Sequence, residues 1–361
     1  MNAPAKEYDG IHKYIRITDI DEQTSAYKQD DVVSPDAELE EKYKVKENDI
    51  LFARTGASTG KSYLYDINDG VLYYAGFLIR GNVKIDNNAK FVFLQTKTSN
   101  YKNWVGIMSA RSGQPGINSQ EYSSYRFRIP SKAEQNKIAQ VFSLIDDRIQ
   151  TQIGAIEAIE SLITGITSKI SRSNNVKQVY LKDLLTERTE RNVDHHEVYS
   201  VSVSEGVVNQ VEYLGRSFAA ADTSHYCVAR YGDIIYTKSP TGSFPYGIVK
   251  RSDISEPVAV SPLYGVYRPL NDNIGIYLHQ YFCSAINAHN YLHKLIQKGA
   301  KNTINITNQR FLQNTIPIPD EVTLEKYVRV IDALVQKLKN EKFLLESYRQ
   351  QKVYLLKNMF V

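Results

Sequence analysis

Cysteine is scarce in this chain. Only Cys227 and Cys283 occur in 361 residues. No CxxC pair links them to a zinc ribbon, and two thiols make no disulfide framework, so a reducing cytoplasm fits best. No run of about 18 apolar residues exists, which excludes a membrane-spanning helix. Met1 to Gly10 is polar and has no secretory apolar core. Catalytic signatures are missing as well. There is no Gly-x-Ser-x-Gly elbow, no GxGxxG fingerprint and no zinc ligand cluster. His289 and His293 stand four apart, but the glutamate of a HExxH pair is absent, which leaves a packed or solvated pair. The Asp/Asn-Pro-Pro-aromatic tetrapeptide used by amino-methyltransferases is also absent. Nothing reads as a catalytic centre or a metal site.

What is abundant is tyrosine, with 26 residues. Its ring and hydroxyl suit both cores and polar interfaces. Apolar residues make up 42% and charged residues 23%, the balance of a globular protein with two or three cores. The net charge of +4 is unevenly spread. Residues 1–60 hold 13 acidic and 8 basic side chains, so the remainder is clearly basic. A pI near 8.7 allows an anionic partner.

The chain repeats itself. Tyr43 to Phe52 (YKVKENDILF) is echoed by Tyr226 to Tyr236 (YCVARYGDIIY). Gly113 to Ser119 is echoed by Gly299 to Thr307, and Ile129-Pro130 by Ile318-Pro319. The offset drifts only from 184 to 189 residues. Such a unit is far too long for a solenoid, so the pattern predicts two copies of one module.

Each copy begins β-rich and ends helical. Ile15 to Ile17, Asp49 to Ala53, Ser62 to Tyr65, Val71 to Tyr74 and Tyr125 to Ile129 have strand composition. Phe91 to Val105 reads as helix, and Ile274 to Gln297 takes its place in the second copy. Ser131 and Glu134 form a capping box that starts a long helix. Its apolar seam runs through Ile138, Phe142, Ile145, Ile149, Ile153, Ile156, Ile159, Leu162, Ile166 and Ile170. Some 38 residues would span about 55 Å. Gly154 and Gly165 are candidate points for a kink or a close helix approach. A second seam comprises Leu324, Val328, Ile331, Val335, Leu338, Leu345, Tyr348 and Leu356. The expected fold is α+β: two β-rich domains alternating with two long helices packed as an antiparallel coiled coil. The expected boundaries are 1–130, 131–172, 173–319 and 320–361.

Two loops carry candidate binding groups. Thr55 to Ser62 (TGASTGKS) resembles a phosphate-binding loop, but Thr55 stands where the first glycine is required. Tyr63-Leu64-Tyr65 is β-like where that loop needs a helix N-terminus. A polar loop between strands is the better reading, offering Arg54, Thr55, Ser58 and Lys61 to a phosphate or base edge. Its counterpart offers Lys238, Ser239 and Thr241. The second loop, Ser109 to Ser119, combines Arg111, Gln114 and Asn118. Arginine can pair with guanine, and glutamine or asparagine with adenine. Its counterpart has Lys298, Lys301 and Asn302. Recurrence of cationic, glycine-bearing loops in both copies favours a binding role over plain surface turns.

In order and duplication, these pieces resemble the specificity subunit of type I restriction-modification systems. The resemblance is carried by Tyr14 to Ile20 (YIRITDI), by Glu47 to Lys61 with its second copy Gly232 to Ile235, and by Ile129 to Ile138 (IPSKAEQNKI). Ile318-Pro319 with Leu324-Glu325-Lys326 is the weaker partner of the last. It covers nearly the whole chain. The resemblance implies that each β-rich domain reads one half of an asymmetric, bipartite duplex DNA site. It implies helices that set the spacing and dock two modification subunits through faces including Ile138, Phe142, Ile145, Ile149, Leu324, Val328, Ile331 and Val335. Those partners would carry S-adenosylmethionine, and restriction subunits using ATP and Mg²⁺ could join. This chain would need no cofactor and catalyse nothing. The alternatives are a decoy scaffold that docks partners without reading DNA, and a nucleotide hydrolase using residues 55–62. One departure stands out. Val179 to Leu185 (VYLKDLL) precedes the second β-rich block, and nothing like it precedes the first.

Overall fold

A computed structural model describes residues 1–216, 219–220, 222–298 and 304–360; side chains at 214, 297, 298, 304 and 305 are outside that description. The chain divides into two compact units. One comprises Met1–Ile153 with the segment from Phe343 onward, and the other Gly154–Lys342.

Each unit is organised around the same three antiparallel strands. In the first, Asp49–Ala53 lies between Ser62–Leu64 and Leu78–Asn82. In the second, Ile234–Tyr236 lies between Val249–Arg251 and Gly265–Pro269. The repeated Asn-Asp-Ile and Gly-Asp-Ile have a structural cause. Asn48 (φ 65°) and Gly232 (φ 86°) take the left-handed turn before the central strand. The next residue, Asp49 or Asp233, accepts the N–H three residues back, from Lys46 or Arg230, at 2.8 Å in both units. The central strand is then free to run into the core, where Leu51 and Ile235 are fully buried. Gly60 (φ +90°) and Gly247 (φ +96°) return the chain toward the outer strand in their respective units.

Around this framework the units diverge. The first adds a parallel pair, His12–Ile15 with Val71–Tyr74, and an antiparallel pair, Ala5–Glu7 with Val33–Pro35. The second adds Leu185–Glu187 to the edge of Gly265–Pro269, and pairs Val176–Tyr180 with Thr315–Pro319. Three sequence expectations are corrected. Residues expected as strand at 15–17 end one strand at Ile15 and enter a single turn, Ile17–Asp19. Tyr125 to Ile129 alternates like a strand yet forms none, because no neighbouring strand pairs with it. The expected helices are each two helices: Ala89–Gln95 with Ser99–Met108, and Asp272–Cys283 with Ala285–His293. At each break a hydroxyl caps the new helix, Thr98 on the Tyr101 N–H and Ser284 on the Asn287 N–H.

The central helix runs Lys132–Ser171 and the C-terminal helix Glu321–Asn358. Ser131 and Glu134 form the expected reciprocal cap. Within the first unit, Phe142 meets Phe360, and Lys352 donates to Asp146 at 2.6 Å. Within the second, Thr167 meets the Tyr327 hydroxyl at 2.8 Å, and Lys342 reaches Glu160 at 2.8 Å. In both units numbers rise along one helix as they fall along the other, so the two run antiparallel. The helix passes through Gly154 and Gly165 without interruption, and no atom outside it comes within 4 Å of a Cβ built at either, so neither marks a close helix approach. The seam passes through Ile159 and Ile163, whereas Leu162 is half exposed. With apolar residues at both 162 and 163, the four-residue step from Ile159 decides which one faces inward.

Candidate nucleic-acid interface

The first unit brings its two candidate loops together. The N–H of Gly56 donates to the Pro115 carbonyl at 2.9 Å, and the N–H of Ile117 donates to the Arg54 carbonyl at 2.9 Å. Thr55 and Gly116 form a bridge between the loops. Gln114 lies over Gly56: a Cβ there would come within 3.1 Å of the Gln114 Nε2, and the φ of +72° also selects glycine. The result is a shallow pocket of about 200 Å³ lined by Arg54, Thr55, Arg111, Gln114 and Asn118. Residues some 60 positions apart in sequence thus share one surface.

The partners of each side chain define what it can offer. Arg54 is exposed. Arg111 is 45% exposed and grips Glu121 with Nη2 at 2.5 and 2.7 Å. The N–H of Asn118 and that guanidinium together hold the Glu121 carboxyl below its usual range. Asn118 is committed as well, since its Oδ1 caps the short helix Ser119–Tyr122 at Glu121 N–H. Its expected base contact therefore competes with a helix cap. Lys61 is mostly covered and lies 3.4 Å from Glu22. Ser58 closes the single turn Gly56–Ser58. The strand Ser62–Leu64 follows Lys61 directly, so no helix N-terminus faces this loop and the nucleotide-hydrolase reading has no structural basis.

Sequence reasoning missed what supports this surface. Tyr122 donates to the Ala53 carbonyl at 2.6 Å and accepts from Gly60 N–H at 3.1 Å. Tyr101 donates to the Gly60 carbonyl at 3.1 Å. Trp104 packs on both rings. Burial pushes the Tyr122 hydroxyl up to about 12, so it stays a neutral donor. The signal in the chain was aromatic residues on both sides of the glycine-rich loop, which composition alone assigns to core.

Lys238 takes a left-handed conformation (φ 62°), and partial burial lowers its ammonium pKa. Ser239 and Thr241 are exposed, and Thr241 exchanges backbone hydrogen bonds with Phe244. Lys298 is described through its backbone, in the strand Gln297–Lys298. Lys301 and Asn302 lie outside the described residues. His289 and His293 stack on each other, and both meet the Tyr246 ring at a tilt.

The helix residues expected to face a partner are largely spoken for. Phe142, Ile145, Leu324, Val328 and Ile331 are buried within the chain's own units, and Ile138, Ile149 and Val335 are half-buried. A side chain already out of water has no area left to bury elsewhere. The faces the helices leave exposed carry Val141, Leu144, Val330, Phe343, Val353 and Tyr354. Among the described residues, no helix is long and apolar enough to cross a membrane.

Residues 2–161 match the family model described as type I restriction modification DNA specificity domain. Comparison with curated proteins finds no match. Among solved structures, the S subunit of a type I restriction-modification system from M. genitalium is 13% identical with a TM-score of 0.60, over 100% of this chain and 93% of that one. A structure described as showing complex assembly and conformational transition of the type I R-M system is 12% identical with a TM-score of 0.54, over 95% and 90%. At these identities the likeness is one of fold, and it extends past the matched domain through the second copy. Residues 2–161 thus carry the signature of a type I restriction-modification DNA specificity domain, and the chain as a whole shares the fold of the S subunit it resembles.

Proposed function

We propose that this chain reads a bipartite DNA site, each β-rich domain (1–130 and 173–319) taking one half, while the helical segments 131–172 and 320–361 set the spacing. The observation that carries this is the convergence of Arg54, Thr55, Arg111, Gln114 and Asn118 on one pocket of a unit whose framework is repeated. Arg54, Lys61 and Arg111 supply phosphate affinity, and Gln114 supplies base reading. Lys238, Ser239, Thr241, Lys298, Lys301 and Asn302 do the same in the second unit. The two loop sets differ, as reading two different half-sites requires. The partners are two modification subunits, with restriction subunits as a further layer, in the cytoplasm. S-adenosylmethionine, ATP and Mg²⁺ belong to those partners.

The test is adenine methylation mapped across the genome of a host with and without this chain. A split motif appearing only with the chain supports the reading; methylation of the same sites without it overturns it. Gln114→Ala should relax one half of that motif and leave the other intact. Arg54→Ala should weaken binding at every sequence and lower the salt slope by about one ion. A second reading follows from the engagement of Arg111 and Asn118 with Glu121: a scaffold that docks modification subunits without reading DNA. It predicts co-purification with a modification subunit and no sequence preference in a binding selection.

A further inference from the structure

The chain's two cysteines lie in opposite surroundings. Cys227 is 8% exposed, among Val207, Ala229 and Val258. Burial raises its thiol pKa, although Arg191 approaches the sulfur to 3.4 Å. Cys283 closes the helix Asp272–Cys283 and keeps part of its surface in water. His279 stands one turn back on the same helix face, with its Nε2 3.8 Å from the Cys283 sulfur. The N–H of Arg251 donates to His279 Nδ1 at 3.0 Å, which places a ring proton on Nε2, facing the sulfur.

The strand packed against this helix supplies the charge. Lys250, in Val249–Arg251, is 7% exposed. Among the described residues its ammonium makes no ion pair with a carboxylate, and its hydrogen-bond partner is the Cys283 sulfur, 3.5 Å from Nζ. A buried cation without an anion is costly, so such a lysine either gives up its proton or finds a counter-charge. Arg251 beside it already pairs with Asp253 and Asp272. From the C-terminal helix the facing group is Tyr327, whose hydroxyl burial keeps protonated. The anion within reach of Lys250 is therefore the sulfur itself. Burial alone would raise the Cys283 thiol, but His279 and Lys250 outweigh it and lower it to about 6.

We propose that Cys283 is a resident thiolate, the counter-ion of Lys250, and a modification site for a small neutral peroxide. The thiolate attacks one peroxide oxygen. A sulfur–oxygen bond forms as the oxygen–oxygen bond breaks. Sulfur gives up two electrons, and the departing hydroxide takes a proton from solvent and leaves as water. The product is a sulfenic acid. A partly exposed sulfur held ionised beside a cation is the setting in which such oxidation is selective. None of the three residues belongs to the loops assigned to DNA reading, and modification here is separate from it.

The test uses the full chain, with Cys227 as the internal reference. Iodoacetamide labelling of each cysteine is followed by mass spectrometry across a pH series. A more acidic thiol gives a less nucleophilic thiolate, so the midpoint of the profile is decisive and the rate at one pH is not. We expect Cys283 to be labelled at least tenfold faster than Cys227 at pH 7, with a midpoint near pH 6. Lys250→Met should raise that midpoint by at least one pH unit, and its melting temperature checks that the variant folds. The thiolate absorbance lost in Cys283→Ser gives the same titration without a reagent, and it remains decisive if Lys250→Met unfolds. Hydrogen peroxide followed by dimedone should tag Cys283 and not Cys227. A midpoint at the ordinary thiol value, by label and by absorbance, overturns the thiolate. An unchanged midpoint in a folded Lys250→Met overturns the ion pair. A low midpoint without a dimedone adduct, or labelling no faster than at Cys227, overturns the modification site. None of these readouts depends on whether the chain reads DNA.

Discussion

Asp49 and Asp233 stand at the same post of the two units, and their surroundings differ. Both are almost fully buried, and both cap the turn three residues back. Asp233 is gripped by Arg188 through Nε at 2.6 Å and Nη2 at 3.0 Å. Arg188 directly follows the strand Leu185–Glu187, which the second unit adds to its framework. Asp49 instead accepts from Asn82 at 2.8 Å, and Arg80 stands off at 3.8 Å, both from the neighbouring strand. The framework is therefore maintained by the turn, while the charge compensation is drawn from whatever segment lies alongside. A repeated motif can persist although its partners are not repeated.

The largest test of that comparison is Asp233→Ala against Asp49→Ala. Removing Asp233 leaves Arg188 with only its longer 3.4 Å contact to Glu190 and should cost about 3 kcal/mol. Removing Asp49 strands the Lys46 N–H and the Asn82 amide, while Arg80 keeps its bond to the Lys44 carbonyl, and should cost about 1–3 kcal/mol. Trp104 is the only tryptophan and lies in the first unit, so its fluorescence follows that unit in denaturant while circular dichroism follows both. Equal losses would break the comparison.

The return glycines give the next effect. At Gly247 a Cβ would meet the Lys238 backbone at 2.8 Å, and at Gly60 the Val105 side chain at 2.5 Å. Gly247→Ala should cost about 2–3 kcal/mol, and Gly60→Ala less, because a side chain yields where backbone does not. Thermal melts of the two variants rank them.

A pH series separates the units further. Lys97 sits at the helix break of the first unit, donating to Ser25 and Ser62. Burial first, then Lys352, Lys102 and Lys90, lowers its pKa from 10.5 to about 7. The folded unit therefore binds this proton less readily than the unfolded chain does. Stability should be lowest below pH 7 and rise from about 7 toward 10, at up to about 1.4 kcal/mol per pH unit. Lys97→Met should flatten that slope in denaturant titrations followed by Trp104.

The smallest effect should be shared. Thr98→Ala and Ser284→Ala each remove a helix cap at the same break and should each cost about 1 kcal/mol in urea titrations. Unequal losses would show that the break is structural in only one unit.

How much of this was legible follows from where the information is local. The capping box at Ser131, the strands Asp49–Ala53 and Val71–Tyr74, and the long seams were readable, because turns, caps and periodicity are properties of adjacent residues. The helix breaks at Thr98 and Ser284 were not, since apolar spacing continues across them. Residues 125–129 misled for a different reason. Their alternation is that of a strand, but a strand exists only with a neighbour. At the candidate interface, the residue types of both loops were visible in sequence. That Arg111 would be held by Glu121 and Asn118 spent on a cap was not, because those contacts depend on how the loop turns.

The sequence by itself determined that the molecule is one module used twice, since the turn that precedes each central strand is encoded within a few residues. It also determined the two long helices, whose seams are written in periodicity. Only the tertiary structure decided which loops meet, because the bonds from Gly56 to Pro115 and from Ile117 to Arg54 join residues some 60 positions apart. It alone decided that the seam uses Ile163 and leaves Leu162 outside. It alone showed that residues 126–129 pair with no strand, because whether a backbone is paired depends on what lies beside it.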